Sequence, residues 1–445
     1  MLGRTVGIDL AIRGEHIAQV FENGRPVGKP IRFRLTADSL RRFVDAITAG
    51  RPDGAPVQAV MEPTGMAWFP VAVWLSRAGV TVIRVKGQRV RALRRYLSEH
   101  VKTDPADAHV LAAMPGYGGP GLDPVFVPQP DQHTLQRLTK HRERHQDSLC
   151  AAKRRLLDLI RWACPTLEAV LPDLLTRLSL ALLDQYFEPQ RVLEATPETL
   201  TRFVAEHAAG NHPRRGGVVE ALITGLRSAA RETLELHGAA VDFEALQFEV
   251  RQEIAQIRLL EQQITELNAR IAALYTRLHP SDALRSIPGL GSRLAAVILG
   301  LVHDAGRFHG ERHLRGFCGL VPKRSASGGV ERPGQKLTKS GHNRIKRALY
   351  LAADAARRVD PQLAEVYWRL MVHKGHHHRQ ALCAVANRLV NRILSVLRSG
   401  RSYVLRGPAG EPITVAQGRQ IIAARFSVPA AIRGSRRRQR VAAGG

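Results

Sequence analysis

Four carboxylates are the residues best placed to do chemistry. Asp9 closes the short apolar run Gly7-Ile8-Asp9-Leu10, and Glu62 follows another in Met61-Glu62-Pro63-Thr64-Gly65. Asp104 and Asp107 stand three apart in Lys102-Thr103-Asp104-Pro105-Ala106-Asp107-Ala108. With Pro105 at the first helical position, both project from one helix face. Four hard oxygen ligands converging on one spot repel strongly without a cation. They suit Mg²⁺, as one ion or as two that bridge a phosphate for in-line phosphoryl transfer. Each acid alone has an ordinary role available, since a strand Asp often serves a turn and Asp104 could cap its own helix. The joint order of strand Asp, strand-end Glu and helix Asp-x-x-Asp is what favours a metal site.

A second constellation lies far downstream. Phe317-Cys318-Gly319-Leu320-Val321-Pro322 leads into the polar loop Lys323-Arg324-Ser325-Ala326-Ser327-Gly328-Gly329, and Lys336, Lys339 and Arg344 follow. A serine between cations and glycines is a mobile hydroxyl in an electropositive setting, suited to attack on a phosphodiester. On spacing alone, Ser-Gly-Gly is more often an ordinary loop. Upstream, Ile287-Pro288-Gly289-Leu290-Gly291 precedes an apolar helix from Leu294 to Val302. Such a helix-hairpin-helix-like turn offers the backbone N–H groups of Gly289 and Gly291 to a phosphate, and a plain tight turn is the rival reading. The run His373, His376, His377 and His378 reads as a solvated turn rather than a metal site. No nucleotide-binding G-x-x-x-x-G-K-[ST] loop occurs.

The elements that must position these groups follow from apolar patterning. Thr5 to Leu10, His16 to Phe21 and Val27 to Leu35 read as three strands, with Asn23-Gly24 as a hairpin turn. A helix capped by Thr36, a buried strand at Val57 to Met61, a helix at Trp68 to Arg77 and a strand at Val80 to Val85 come next. A basic segment from Lys86 to Leu97, with Arg89, Arg91, Arg94 and Arg95, and then Lys102, could grip a nucleic-acid backbone just before the helix that starts near Asp104. Three meandering strands followed by alternating helices and strands is the order of a ribonuclease-H-like (RuvC-like) α/β fold. The expected division is 1–115 for this domain, 116–131 for a Pro/Gly linker, 132–279 for an all-α region, 280–400 for a basic helical domain and 401–445 for a mobile basic tail. Within the all-α region, Val250, Ile257, Ile264, Ile271 and Leu278 repeat every seven residues, with Leu260, Leu267 and Leu274 between them. This predicts a coiled coil at 250–278 and a route to dimers; a helix packed within its own chain is the alternative.

Charge narrows the partner. Sixty-six Lys and Arg against 39 Asp and Glu leave +27 over 445 residues, and 21 against 7 leave +14 between Pro280 and Arg398. A polyanion is the natural counterpart. Apolar runs such as Ala295 to Val302 fall well below the roughly 20 residues of a membrane span, and the N-terminus shows no signal-peptide core, so membrane and secreted classes are not expected. Cys150, Cys164, Cys318 and Cys383 lie far apart without a CxxC pair, which fits a reducing cytoplasm.

Taken together, the chain resembles the transposases of the insertion-sequence-110 family, DEDD recombinases guided by a bridge RNA. The matching stretches are GIDLA (7–11), MEPTG (61–65), KTDPADAHVLA (102–112), IPGLG (287–291), FCGLVPKRSASGG (317–329) and LTKSGHNRIKRALYLAA (337–353). The resemblance implies Mg²⁺ ligation by Asp9, Glu62, Asp104 and Asp107, and a serine that forms a covalent bond to DNA. Aligned on the loop, that serine is Ser327, with Ser325 a close rival and Ser340 a distant one. It also implies donor and target DNA, a bridge-type guide RNA, a homo-oligomer (dimer or tetramer) and a bacterial, nucleoid-associated setting. A hydrolytic junction nuclease and a non-catalytic nucleic-acid-binding protein are the competing functions.

Overall fold

The computed structural model describes residues 3–50, 55–97, 103–118, 122, 124–208, 216–323, 326–327, 330–331, 337–338 and 341–433. The chain divides into two compact units, Met1–Gln129 and Pro130–Gly445.

The first unit is built on five strands: β1 (Arg4–Asp9), β2 (His16–Glu22), β3 (Arg25–Phe33), β4 (Val57–Met61) and β5 (Thr81–Arg84). They lie in the order β3-β2-β1-β4-β5, with β1 antiparallel to β2 and parallel to β4. Asn23 and Gly24 both take positive φ, 49° and 81°, the turn that matches the twist of a β2–β3 hairpin. Helices α1 (Ala37–Thr48) and α2 (Trp68–Arg77) cover one face, where Val6, Ile8, Ala59, Met61 and Val82 are buried. Helices α3 (Gly87–Tyr96) and α4 (Asp104–Tyr117) cover the other, over Val60, Ile83 and Val85. This mixed sheet with helices on both faces is compatible with an RNase H-like domain. The basic segment 86–97 proves to be largely helix, because Val90 and Leu93 pack against Val110, Leu111 and Met114 while Arg89, Arg91 and Arg95 stay exposed.

The second unit is helical. Helix α5 (Pro130–Ala163) is followed by α6 (Leu167–Val170), α7 (Arg177–Tyr186), α8 (Pro189–Glu194), α9 (Pro197–His207) and α10 (Gly216–His237), and then by α11 (Phe243–Leu278). Ion pairs Asp131–Arg277, Lys153–Glu261 and Arg155–Glu253 show that α5 and α11 run antiparallel along each other. The heptad residues Ile257, Leu260, Ile264, Leu267, Ile271 and Leu274 are thereby buried within one chain. The expectation that this seam waits for a second copy is corrected: α5 fills it with Leu135, Leu149, Ala152 and Leu156, residues that share its cores.

The C-terminal core collects α12 (Ser292–Val302), α13 (Glu311–Cys318), α14 (Asn343–Ala356), α15 (Pro361–Val372) and α16 (His378–Ser399). The segment after residue 400 is not a free arm as far as Arg433. Helix α17 (Val415–Arg425) starts at a Thr414–Gln417 capping box. Tyr403 donates to the buried Asp360 at 2.9 Å, and Arg392 pairs with the same carboxylate. Arg436, Arg437 and Arg438 lie outside the described residues. Among the described residues, no helix is long and apolar enough to cross a membrane.

Candidate functional site

The site begins with an alternation on β1. Thr5 Oγ1 donates to Ala112 O at 2.9 Å, and a Cβ at Gly7 would lie 2.9 Å from Leu111 C and closer still to Ala108 O and Ala112 N. Thr5 and Gly7 therefore face α4, and only glycine admits the helix at that distance. Side chains alternate along a strand, so Asp9 belongs to the same face, beyond Gly7 toward the N-terminal turn of α4 that carries Asp104 and Asp107.

The β1–β4 register brings in the second acid. The last paired residues are Ile8 and Met61, so Asp9 and Glu62 follow side by side at the carboxyl ends of two parallel strands. Val60, opposite Gly7, is buried in the α3/α4 core, and Glu62 stands two residues further on. A Cβ at Gly87 would collide with Glu62 Oε1, so this carboxylate sits against the first residue of α3. Helix N-termini favour negative charge, and a glycine there lets the carboxylate approach closely. Gly87 escaped the sequence reading; the signal was a glycine directly after β5 at the head of a basic helix.

Asp104 and Asp107 open α4. The cap is Thr103, which accepts from Ala106 N at 3.4 Å, so capping does not account for Asp104. Asp107 forms an ion pair with Arg94, and the two side chains are only 14% and 15% exposed. Arg94, expected on a nucleic-acid surface, is instead directed inward, because α3 packs its C-terminal turn on α4. Arg89, Arg91 and Arg95 are exposed on α3, and Lys102 lies outside the described residues. Among the described residues, no three Asp, Glu, His or Cys side chains close on one point as a ready metal cluster. The fold thus brings Asp9 and Glu62 together at the strand ends and sets Asp107 against a cation.

In the second unit, β6 (Ala326–Ser327) pairs antiparallel with β7 (Val330–Glu331), with Ser327 opposite Val330. Lys323 is exposed just before it. Arg324, Ser325, Lys336, Lys339 and Ser340 lie outside the described residues. Gly289 takes φ 87°, and a Cβ there would press on Ala352 O and lie 3.0 Å from Ala356 N. Packing on α14 is therefore enough to require that glycine, whereas Gly291 is exposed at the N-cap of α12. Arg344 is corrected from a phosphate contact to an internal tie: it donates to Glu143 at 2.6 Å and to Thr139 at 3.0 Å, joining α14 to α5. Arg142, Arg293 and Arg347, with Glu143 and Asp147, line an open groove between α5, α12 and α14. The histidine run serves the fold, since His377 caps α16 and His378 Nδ1 lies 2.7 Å from the Tyr367 hydroxyl.

Comparison with known proteins gives matches to two family models. Residues 6–165 match a DEDD transposase model of the IS110 type, and residues 281–368 match the model described as the transposase IS116/IS110/IS902 family. The 43.6 kDa protein of insertion element IS110 from Streptomyces coelicolor is 27% identical over 86% of this chain and 92% of its own length. The 44.8 kDa protein of insertion element IS116 from Streptomyces clavuligerus is 24% identical over 79% and 85%. The pilin gene-inverting protein of Moraxella bovis is 20% identical over 80% and 85%. The chain carries both transposase domains of the IS110/IS116/IS902 family and belongs to that family.

Proposed function

We propose that this transposase moves its element by cutting and rejoining DNA through a transient serine–DNA bond, with Ser327 as nucleophile and Asp9, Glu62, Asp104 and Asp107 as the holders of Mg²⁺. The observation that carries the reading is the pairing of Asp9 with Glu62 at adjacent strand ends, on the sheet face where α4 presents Asp104 and Asp107. The donor set is all carboxylate oxygen, and Asp107 Oδ1 already takes a cation, the Arg94 guanidinium, against it. Both features fit a hard divalent ion. Bound there, Mg²⁺ would neutralise charge on the reacting phosphate.

In the proposed reaction Ser327 Oγ bonds to phosphorus while the ester bond to the leaving strand breaks, and the leaving deoxyribose oxygen takes up a proton. The hydroxyl of the incoming strand then attacks the phosphoserine, the Oγ–P bond breaks, and Oγ regains a proton. Phosphodiester energy is conserved, so no ATP is required. Lys323 supplies positive charge beside the serine strand, and the exposed Arg89, Arg91 and Arg95 offer phosphate contacts near the acids. A bridge-type guide RNA would choose donor and target DNA, and assembly into a dimer or tetramer would let one copy's acids meet a serine loop. A relative named for inverting a pilin gene supports recombination over hydrolysis. Ser327→Ala is expected to abolish strand exchange while DNA and RNA binding persist. If the variant still recombines, Ser327 is not the nucleophile.

A further inference from the structure

We propose that Arg94 is the resident counter-cation of the carboxylate site, holding Asp107 in the metal-free chain and giving way when a divalent ion enters. The proposal rests on the metal-site reading above and adds to it a positioning residue that competes with the metal.

Helix α3 touches the site at both ends. Its first residue, Gly87, lies under Glu62, and its last turn sends Arg94 onto Asp107. Val90 and Leu93 anchor the helix in the core between these points. Of the arginines Arg89, Arg91, Arg94 and Arg95, only Arg94 turns inward; the other three are exposed.

Two features mark the pair as exchangeable. The guanidinium meets Asp107 Oδ1 through Nη2 while Arg94 Nε is buried without a hydrogen-bond partner, so the ion pair leaves a donor of the arginine unused. A structural ion pair at such depth normally satisfies its remaining donors and acceptors, because desolvation is costly otherwise. A monovalent guanidinium also undercompensates neighbouring carboxylates, which a divalent ion would neutralise more fully. Arginine's long stem allows the head group to swing out beside Arg91 and Arg95 without moving the helix. Released there, it would join the exposed basic face of α3.

The test measures Mn²⁺ binding to the full chain by titration calorimetry, without DNA, for wild type, Arg94→Gln, Arg94→Lys and Glu62→Gln. Arg94→Gln should tighten Mn²⁺ by about tenfold, within the usual range of coupling between two ligands of one site. Arg94→Lys should stay near wild type, and Glu62→Gln should lose binding. In parallel, wild type is treated with phenylglyoxal: Arg94 should be protected without Mn²⁺ and modified with it, as mapped by peptide mass spectrometry. This second measurement decides alone if Arg94→Gln does not fold. Unchanged or weaker Mn²⁺ binding in Arg94→Gln, or Arg94 still protected with Mn²⁺, overturns the proposal and leaves the carboxylate site standing. No Mn²⁺ binding by any form removes the metal site and the proposal together.

Discussion

Gly7→Ala is a small substitution with a large expected effect. The added Cβ would lie 2.9 Å from Leu111 C and nearer to Ala108 O and Ala112 N, all backbone atoms of α4. Carbon atoms rest about 3.5–4.0 Å apart, so α4 must retreat by roughly 0.6–1.1 Å at Leu111 and by more at Ala108. That displacement loosens Ala108, Val110, Leu111 and Ala112, now almost wholly buried, and an overpacked core of this kind costs about 1–3 kcal/mol. The same shift carries Asp104 and Asp107 away from Asp9, and a misplacement near 1 Å at a reacting centre can cost about a hundredfold in rate. Urea denaturation of the purified protein gives the first quantity, and strand exchange on a supercoiled donor gives the second. Gly7→Ser, with a similar Cβ, should match Gly7→Ala. A Gly7→Ala protein with the wild-type urea midpoint and wild-type activity would refute the placement of α4 on β1, and with it the convergence of the acids.

Three further outcomes follow from the second unit. Ile264→Asp places a carboxylate in the α5–α11 seam and should lower stability by about 2–5 kcal/mol, with a urea midpoint independent of protein concentration; a concentration-dependent midpoint would mean that the seam joins two copies. Arg344→Met strands Glu143 without its partner and should cost about 1–3 kcal/mol, while the salt dependence of DNA binding keeps its slope; a shallower slope would return Arg344 to the nucleic-acid surface. Burial, with Arg307, His133 and His342 facing it, lowers the His303 pKa to about 4. The folded chain therefore disfavours its protonation, so the associated stability is full above pH 6.5 and lost as pH falls toward 4. His303→Asn should flatten that acid limb of the denaturation profile; an unchanged limb would assign it to other groups.

How legible the molecule was depends on the range of each interaction. The hairpin at Asn23-Gly24, the Thr36 cap and the strand ends carrying Asp9 and Glu62 rest on local rules, and the structure places them where those rules do. Arg344 was misread because its neighbours in sequence are basic and polar, while its partner Glu143 lies 201 positions away. Arg94 sits among exposed arginines, and only the packing of Val90 and Leu93 on α4 decides which one turns inward. The partner of the 250–278 seam was hidden for a related reason. Leu135, Leu149 and Leu156 on α5 keep a seven-residue spacing, but Arg142 stands in the missing place, bonded at 3.0 Å to Asn268 of α11. An exposed polar cross-link at the edge of an apolar seam reads, in one dimension, as the end of the pattern. The helix at 415–425 was missed because Gly418 weakens its propensity; the position is set by close packing, a Cβ there lying 2.5 Å from Val359 O.

The central claim is that a serine of this chain becomes joined to DNA, and trapping the joined species tests it directly. Wild-type protein is quenched with denaturant during strand exchange on a labelled donor, digested, and the DNA-linked peptide sequenced by mass spectrometry. The account predicts a phosphodiester-linked peptide carrying Ser327, absent from Ser327→Ala and strongly reduced in Glu62→Gln. Cleaved DNA with no linked peptide at any serine would contradict it and leave metal-dependent hydrolysis as the chemistry.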